Sequence, residues 1–186
     1  MAATQGDPRV GPGLVWPGQP APQQVKLGGR EFWSTGWHAI AFVESHCVYS
    51  DGAWVGQRAE LMAWQKRLLW RLFEVEVDTD GYWIRRYRRA LLGIPRKNGK
   101  SQLASWLALY FLCADGEPAA YVVCGANSEE QADIVFNGAK LCAEKSGTLS
   151  QLTSGFAGEI IVPTELNARM ERVSYKAKTK EGLNIH

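Results

Sequence analysis

The sequence predicts an α/β fold in which helices flank a parallel sheet. Two apolar runs of strand length, "RRALLGIP" and "AAYVVCGA", are each followed by a longer stretch patterned as a helix. The order strand, helix, strand, helix implies right-handed crossovers and parallel strands. A Gly-Lys-Ser tripeptide stands between the first run and its helix, the setting a phosphate-binding loop requires.

The 186 residues suit one domain of ordinary size with an extension. Residues 1–30 hold five of the eight prolines and six glycines among few large apolar groups, so they are expected to form a flexible, disordered arm. Residues 31–57 carry Phe32, Trp33, Trp37, Phe42, Tyr49 and Trp54 with weak periodicity and are expected to be an irregular cover. The folded domain proper is expected over residues 58–186.

Within it, "RAELMAWQKRLLWRLF" places Leu61, Trp64, Leu68, Leu69 and Leu72 on one stripe of an amphipathic helix, with Gln65 just beside the stripe. After a turn at Asp78–Gly81, "RRALLGIP" reads as a buried strand and "KSQLASWLALYFL" as an apolar helix. "AAYVVCGA" reads as a second buried strand. The helix after it has Ser128 as N-cap and Glu129 and Glu130 in its first turn. "GEIIVP" and "ARMERVSYKA" close the chain as two strand-like runs, a hairpin or an edge of the same sheet.

Charge and cysteine usage narrow the function. Net charge is only +2, yet Arg58–Ser101 holds 11 of the 21 Lys and Arg and 5 of the 19 Asp and Glu, a local positive field that suits a polyanion. Cys47, Cys113, Cys124 and Cys142 form no C-x-x-C pair, which fits reduced thiols and a cytosolic protein rather than a disulfide framework. No apolar run approaches a membrane span, and Pro and Gly occupy the place of a signal peptide's apolar stretch. His38, His46 and Cys47 match no common zinc spacing. Glu159, Glu165, Glu171 and Glu181 are expected mostly to face solvent. Arg85, Arg86, Arg88 and Arg89 could follow a nucleic-acid backbone, although alternation along a strand would put about half of them on any one face.

The loop departs from G-x-x-x-x-G-K-[ST]. Its first glycine would fall at position 94, where the chain has Ile94, and Gly93 comes one place early. Pro95 offers a substitute turn, since its ring fixes φ and biases Ile94 toward an extended conformation. Gly99, Lys100 and Ser101 stand where backbone N–H groups, a lysine on the β- and γ-oxygens and a hydroxyl on Mg²⁺ are needed. The plainer alternative is an exposed basic turn ahead of an apolar helix.

Four stretches taken together, "LMAWQKRLLWRLF", "IPRKNGKSQLASWLALYFL", "VVCGANSEEQADIVFNGAKL" and "KEGLNIH", resemble successive ATPase motifs of the large terminase subunit of tailed bacteriophages. Loops of that family commonly begin with a basic residue and lack the first glycine. The resemblance implies a P-loop NTPase-like sheet and a motor that uses ATP and Mg²⁺ to drive double-stranded DNA into a procapsid. Its partners would be the portal and the small terminase subunit. It would work as a ring when complete, with no membrane, in the host-cell cytoplasm. Lys100 and Arg96 would be the catalytic pair, Arg96 stabilising the transferring phosphate in cis. Gln65, Lys97, Asn98, Gly99, Lys100 and Ser101 would hold the nucleotide, with Ser101 as the Mg²⁺ ligand and Lys97 only a basic residue of the loop. Gln65 would read adenine through its amide, although a surface glutamine explains the pattern equally well. Asn127, Ser128 and Gln131 match the motif tied to DNA coupling, but N-capping alone accounts for Ser128.

The family's paired acids follow a "GLN-x-H" stretch, and this chain ends at Gly182–His186. The sheet is therefore expected to be incomplete at its C-terminal side, the acids and the nuclease domain missing, and hydrolysis weak. The competing expectation is a non-catalytic basic fragment that binds nucleic acid or serves assembly.

Overall fold

A computed structural model describes residues 15, 18–156, 158–163 and 167–174. Most of the expected arm, together with Glu165, Glu181 and "KEGLNIH", lies outside the described residues. The chain divides into two compact units, one built from residues up to Ala41 with Leu61–Gly93, the other from Phe42–Glu60 with the residues from Ile94 onward.

In the first unit β1 (Gln23–Leu27) and β2 (Arg30–Ser34) form an antiparallel hairpin. The loop between them is Gly28-Gly29, at φ +60° and +75°. Positive φ at both central residues gives a two-residue turn whose twist matches the flanking strands. This hairpin corrects the expectation of a flexible arm to residue 30. The composition of the arm hid a Gly-Gly turn between two strands of alternating exposure.

The helix α1 (Gly36–His46) follows, so much of the stretch expected to be irregular is regular. Gly36 lies so close to α2 (Ala63–Leu72) that an added Cβ would stand 2.8 Å from Leu69 O and Trp70 Cα. The hairpin continues into β3 (Glu74–Val77) and β4 (Trp83–Arg85), giving a four-stranded antiparallel sheet in the order β1-β2-β3-β4. Of the expected stripe, Leu61, just before α2, and Leu69 are buried, while Trp64, Leu68 and Leu72 are half-buried.

No strand forms over "RRALLGIP". Residues 86–99 have no regular structure, and Leu91 is fully exposed at 101%. An isolated run, however apolar, cannot satisfy its N–H and C=O groups without a partner, and none of the described strands pairs with it.

The second unit holds α3 (Lys100–Cys113), β5 (Tyr121–Ala126), α4 (Glu129–Lys145), α5 (Leu149–Leu152), β6 (Ser154–Phe156), β7 (Glu159–Val162) and β8 (Ala168–Ser174). Its sheet has the order β5-β8-β7-β6. β5 and β8 pair parallel across the α4 crossover, while β7 pairs antiparallel with both β8 and β6. The expected parallel arrangement thus holds for one pair, and the expected hairpin for β7 and β8. The core gathers Leu103, Trp106, Leu109, Tyr110 and Leu112 of α3, Phe136 and Cys142 of α4, and Ile160 and Met170 of the sheet.

Candidate nucleotide-binding loop

The loop and the first turn of α3 come directly from the Lys-Asn-Gly-Lys-Ser stretch. Gly99 is the N-cap of α3 at φ 71° and ψ 17°, in the left-handed region, and carries no side chain to cap the helix. Lys97 also has positive φ, at 66°. Asn98 Nδ2 donates to Pro95 O at 3.3 Å and to Arg96 O at 3.4 Å, which closes the loop on itself. Leu103 N donates to Gly99 O at 2.9 Å, so the N–H groups of Lys100, Ser101 and Gln102 have no carbonyl inside the helix to bond. Arg96, Lys97, Asn98, Gly99, Lys100 and Ser101 are all exposed. These N–H groups and the positive end of a 14-residue helix face outward beside three cationic side chains. Such an arrangement can hold a polyphosphate.

A second layer fixes α3 from behind. Ser105 Oγ stands 3.0 Å from Ser101 O and 2.9 Å from Val135 O of α4, as donor to either carbonyl. Gln102 Oε1 accepts from both N (3.1 Å) and Oγ (2.9 Å) of Ser50. One turn on, Trp106 Nε1 donates to Val48 O at 3.0 Å. The 48–57 segment is thereby pinned along the start of α3, an attachment for which the sequence offers only one local signal, the turn residues Asp51, Gly52 and Gly56.

Gln65 lies in the first unit and is buried, at 3% exposure, which removes the surface reading. Its Oε1 accepts from Met62 N at 2.8 Å, capping its own helix. Asn127 is exposed at the end of β5, and Gln131 N donates to Ser128 Oγ at 3.3 Å, the expected N-cap. The Ser128 hydroxyl also holds the Glu130 carboxyl below its usual range.

Part of the basic run serves the first unit's own structure. The buried carboxylate of Glu74 takes Arg30 at 2.6 Å, Arg71 at 3.0 Å and Arg86 at 3.5 Å. Arg85 stacks over the Phe73 ring at 5.3 Å. Arg88 and Arg89 are exposed, outside any strand. Sequence reasoning missed Glu74, whose burial becomes visible only when three elements converge on it.

The cysteines are free, with Cys47, Cys124 and Cys142 buried. The Cys47 thiol donates to Cys142, which raises Cys47 and lowers Cys142, and Val48 N adds a bond to Cys142 Sγ at 3.3 Å. His46 Nδ1 stands 3.0 Å from Thr148 Oγ1. Among the described residues no group of three His, Cys, Asp or Glu is placed to hold a metal, and no helix is long and apolar enough to cross a membrane. Glu159 and Glu171 face each other across β7 and β8, both half-buried.

Comparison with known proteins gives these features a context. The large subunit of the terminase of Enterobacteria phage HK97 is 30% identical over 151 residues, 80% of this chain and 28% of that protein. The crystal structure of the HK97 bacteriophage large terminase is similar with a TM-score of 0.67 and 28% identity, over 82% of this chain and 30% of that one. The chain thus spans under a third of the length of these relatives. The family described as terminase large subunit, ATPase domain, matches residues 63–158, a stretch that includes Gln65, the whole 95–101 loop, α3 and α4. The chain belongs to the terminase large subunit ATPase domain family.

Proposed function

We propose that the 95–101 loop binds the triphosphate of Mg·ATP and that the chain is the N-terminal ATPase portion of a DNA-packaging motor. The observation that carries this is the start of α3: a left-handed Gly99 without a side chain, followed by exposed Lys100 and Ser101 on an uncapped 14-residue helix. Free N–H groups at a helix N-terminus suit the β-phosphate, and Lys100 follows where a cation reaches the β- and γ-oxygens. Arg96, in the same loop, supplies a second cation for charge developing on the transferring phosphate. Lys97 and Asn98 shape the loop, Asn98 through its bonds to the Pro95 and Arg96 carbonyls.

The Ser101 hydroxyl is a hard oxygen donor at an exposed position, which fits Mg²⁺, an ion that keeps several waters and takes few protein ligands. When bound, Mg²⁺ neutralises phosphate charge. Double-stranded DNA, the portal and the small terminase subunit are the partners this reading implies, in the host-cell cytoplasm. The competing reading, a basic fragment that binds nucleic acid without ATP, loses two cations of the Arg58–Ser101 stretch, Arg71 and Arg86, to Glu74.

Titration calorimetry of the 186-residue chain with Mg·ATP tests the loop. Lys100→Ala is expected to weaken binding at least tenfold, about 1.4 kcal/mol. Equal affinities for the two proteins would overturn the assignment, and salt-sensitive DNA binding untouched by Lys100→Ala would favour the competing reading.

A further inference from the structure

Two cysteines distant in sequence meet inside the second unit. Val48, the residue after Cys47, donates its N–H to Cys142 Sγ of α4 at 3.3 Å, across 94 positions. His46, the residue before Cys47, accepts at its carbonyl from Ser146 Oγ, the C-cap of α4, at 2.6 Å. Cys142 and Ser146 are about one helical turn apart, so Cys47 is bracketed on both sides against the last turn of α4. Its own backbone is fixed as well, with Cys47 N donating to Val43 O and Ala59 N to Cys47 O, both at 3.0 Å. The Cys47 thiol donates to Cys142. Two thiols in hydrogen-bond contact on fixed backbones need little movement to reach an S–S bond of about 2.05 Å.

Cys142 is the nucleophile of the pair. It receives two donors, the Cys47 S–H and the Val48 N–H, and these favour its thiolate. Cys113, the last residue of α3, is the rival partner, since it feels the charge of Cys142. Cys47 is the thiol that donates to Cys142. Both sulfurs are covered, Cys47 at 1% exposure and Cys142 at 0%. Oxidation therefore waits on local opening of the 46–48 segment, which admits a small peroxide and excludes a bulky disulfide reagent.

We propose that Cys47 and Cys142 form a reversible disulfide when hydrogen peroxide reaches the second unit, a covalent clamp between the segment after α1 and α4. The Cys142 thiolate attacks one peroxide oxygen: the S–O bond forms, the O–O bond breaks, and the departing hydroxide takes up a proton and leaves as water. The Cys47 sulfur then attacks the sulfenic sulfur: the S–S bond forms, the S–O bond breaks, and the hydroxyl leaves with the Cys47 proton as a second water. Two thiols lose two electrons and the peroxide gains them. The clamp secures the segment that the Trp106 Nε1 bond to Val48 O and the Ser50–Gln102 pair already fix along α3. Closing so long a loop removes freedom from the unfolded chain, so the bridged protein unfolds at higher denaturant. This modification goes beyond the phosphate-loop reading and stands whether or not that loop binds nucleotide.

The test treats the reduced, folded 186-residue chain with hydrogen peroxide, blocks remaining thiols by alkylation, and maps the links after trypsin. Cys47 falls in peptide 31–58, Cys142 in 141–145, and Cys113 with Cys124 in 101–140, so each pairing has its own mass. The expected product is 31–58 joined to 141–145, lighter by two hydrogens than the free pair and separated again by dithiothreitol, together with a rise in the urea midpoint of the oxidised chain. Cys47→Ala and Cys142→Ala should lose both the link and the rise, and Cys113→Ala should keep both. Thiols that stay free or oxidise without a link, a link from 101–140 to either peptide, or a link only between chains overturns the proposal. So does a bridged chain that unfolds at the same or lower urea than the reduced one. The map of the parent chain decides the pairing without any variant, so a Cys47→Ala chain that fails to fold leaves the test intact.

Discussion

Gln65 performs one task visibly, since its Oε1 caps the N-terminus of α2 by accepting from Met62 N at 2.8 Å. A carboxylate at this position keeps an acceptor for that N–H and sits well at a helix N-terminus, but it has no N–H to offer a base. Gln65→Ala is therefore expected to cost about 0.5–2 kcal/mol of stability through the lost cap. Gln65→Glu keeps that acceptor but places a charge at a buried position, so it should cost stability as well. If the amide also reads adenine, Gln65→Glu lowers the ratio of ATP to GTP affinity as far as Gln65→Ala does; an unchanged ratio in both variants would leave Gln65 as a cap alone. Gln65 was legible in the sequence as a motif residue but not as a buried one, because its position beside the apolar stripe fits either side of the boundary between core and solvent.

α3 and α4 approach closely where Gly138 meets Ser105. A Cβ added to Gly138 would stand 2.5 Å from Ser105 Oγ and 3.3 Å from Ser50 Oγ. Relief would require Ser105 to give up its bonds to Ser101 O or Val135 O, and Ser50 also serves the Gln102 pin. Gly138→Ala is thus expected to destabilise by about 1–3 kcal/mol, typical of overpacking. Ser105→Ala removes the closest atom, so the double variant should be more stable than the sum of the two single changes predicts, as measured by denaturant unfolding. Additive losses would show that the contact at Gly138 is not the source of the strain. Helices α2, α3 and α4 were readable from periodicity and capping residues, since those signals are local. The segment 88–95 was misread as a strand because apolar composition measures only a side chain's preference for burial, whereas a strand exists only where a neighbour completes its hydrogen bonds.

Across the whole molecule, burial of the thiols ties stability to alkaline pH. Burial pushes Cys124 up to about 11, and burial followed by the neighbouring Cys142 pushes Cys113 up to about 12, from 9.0 in both cases. A thiol raised in the folded state binds its proton more tightly there than in the unfolded chain. Its contribution is complete below pH 9 and is lost as pH rises toward the folded values. Unfolding free energy is therefore expected to fall between pH 9 and 11, each such thiol adding up to about 1.4 kcal/mol per pH unit to the slope. Cys124→Ala should reduce that slope by about one thiol's share; an unaltered slope would mean that Cys124 titrates normally in the folded protein. At the same scale the local positive field proved to be partly engaged within the first unit, because Glu74 draws in Arg71 from α2 and Arg86 just after β4, together with Arg30 of the hairpin. By itself the sequence determined helices α2, α3 and α4, the glycine at the head of α3, the cation and hydroxyl after it, and the family motifs, all of which depend on neighbours a few residues apart. Only the tertiary structure decided that β5 pairs with β8, that Glu74 gathers three arginines, that Gln65 is buried, and that the 48–57 segment is pinned to α3. These depend on residues up to 52 positions apart, as Ser50 and Gln102 are, and no local pattern encodes which distant backbone or side chain will supply the missing hydrogen bond.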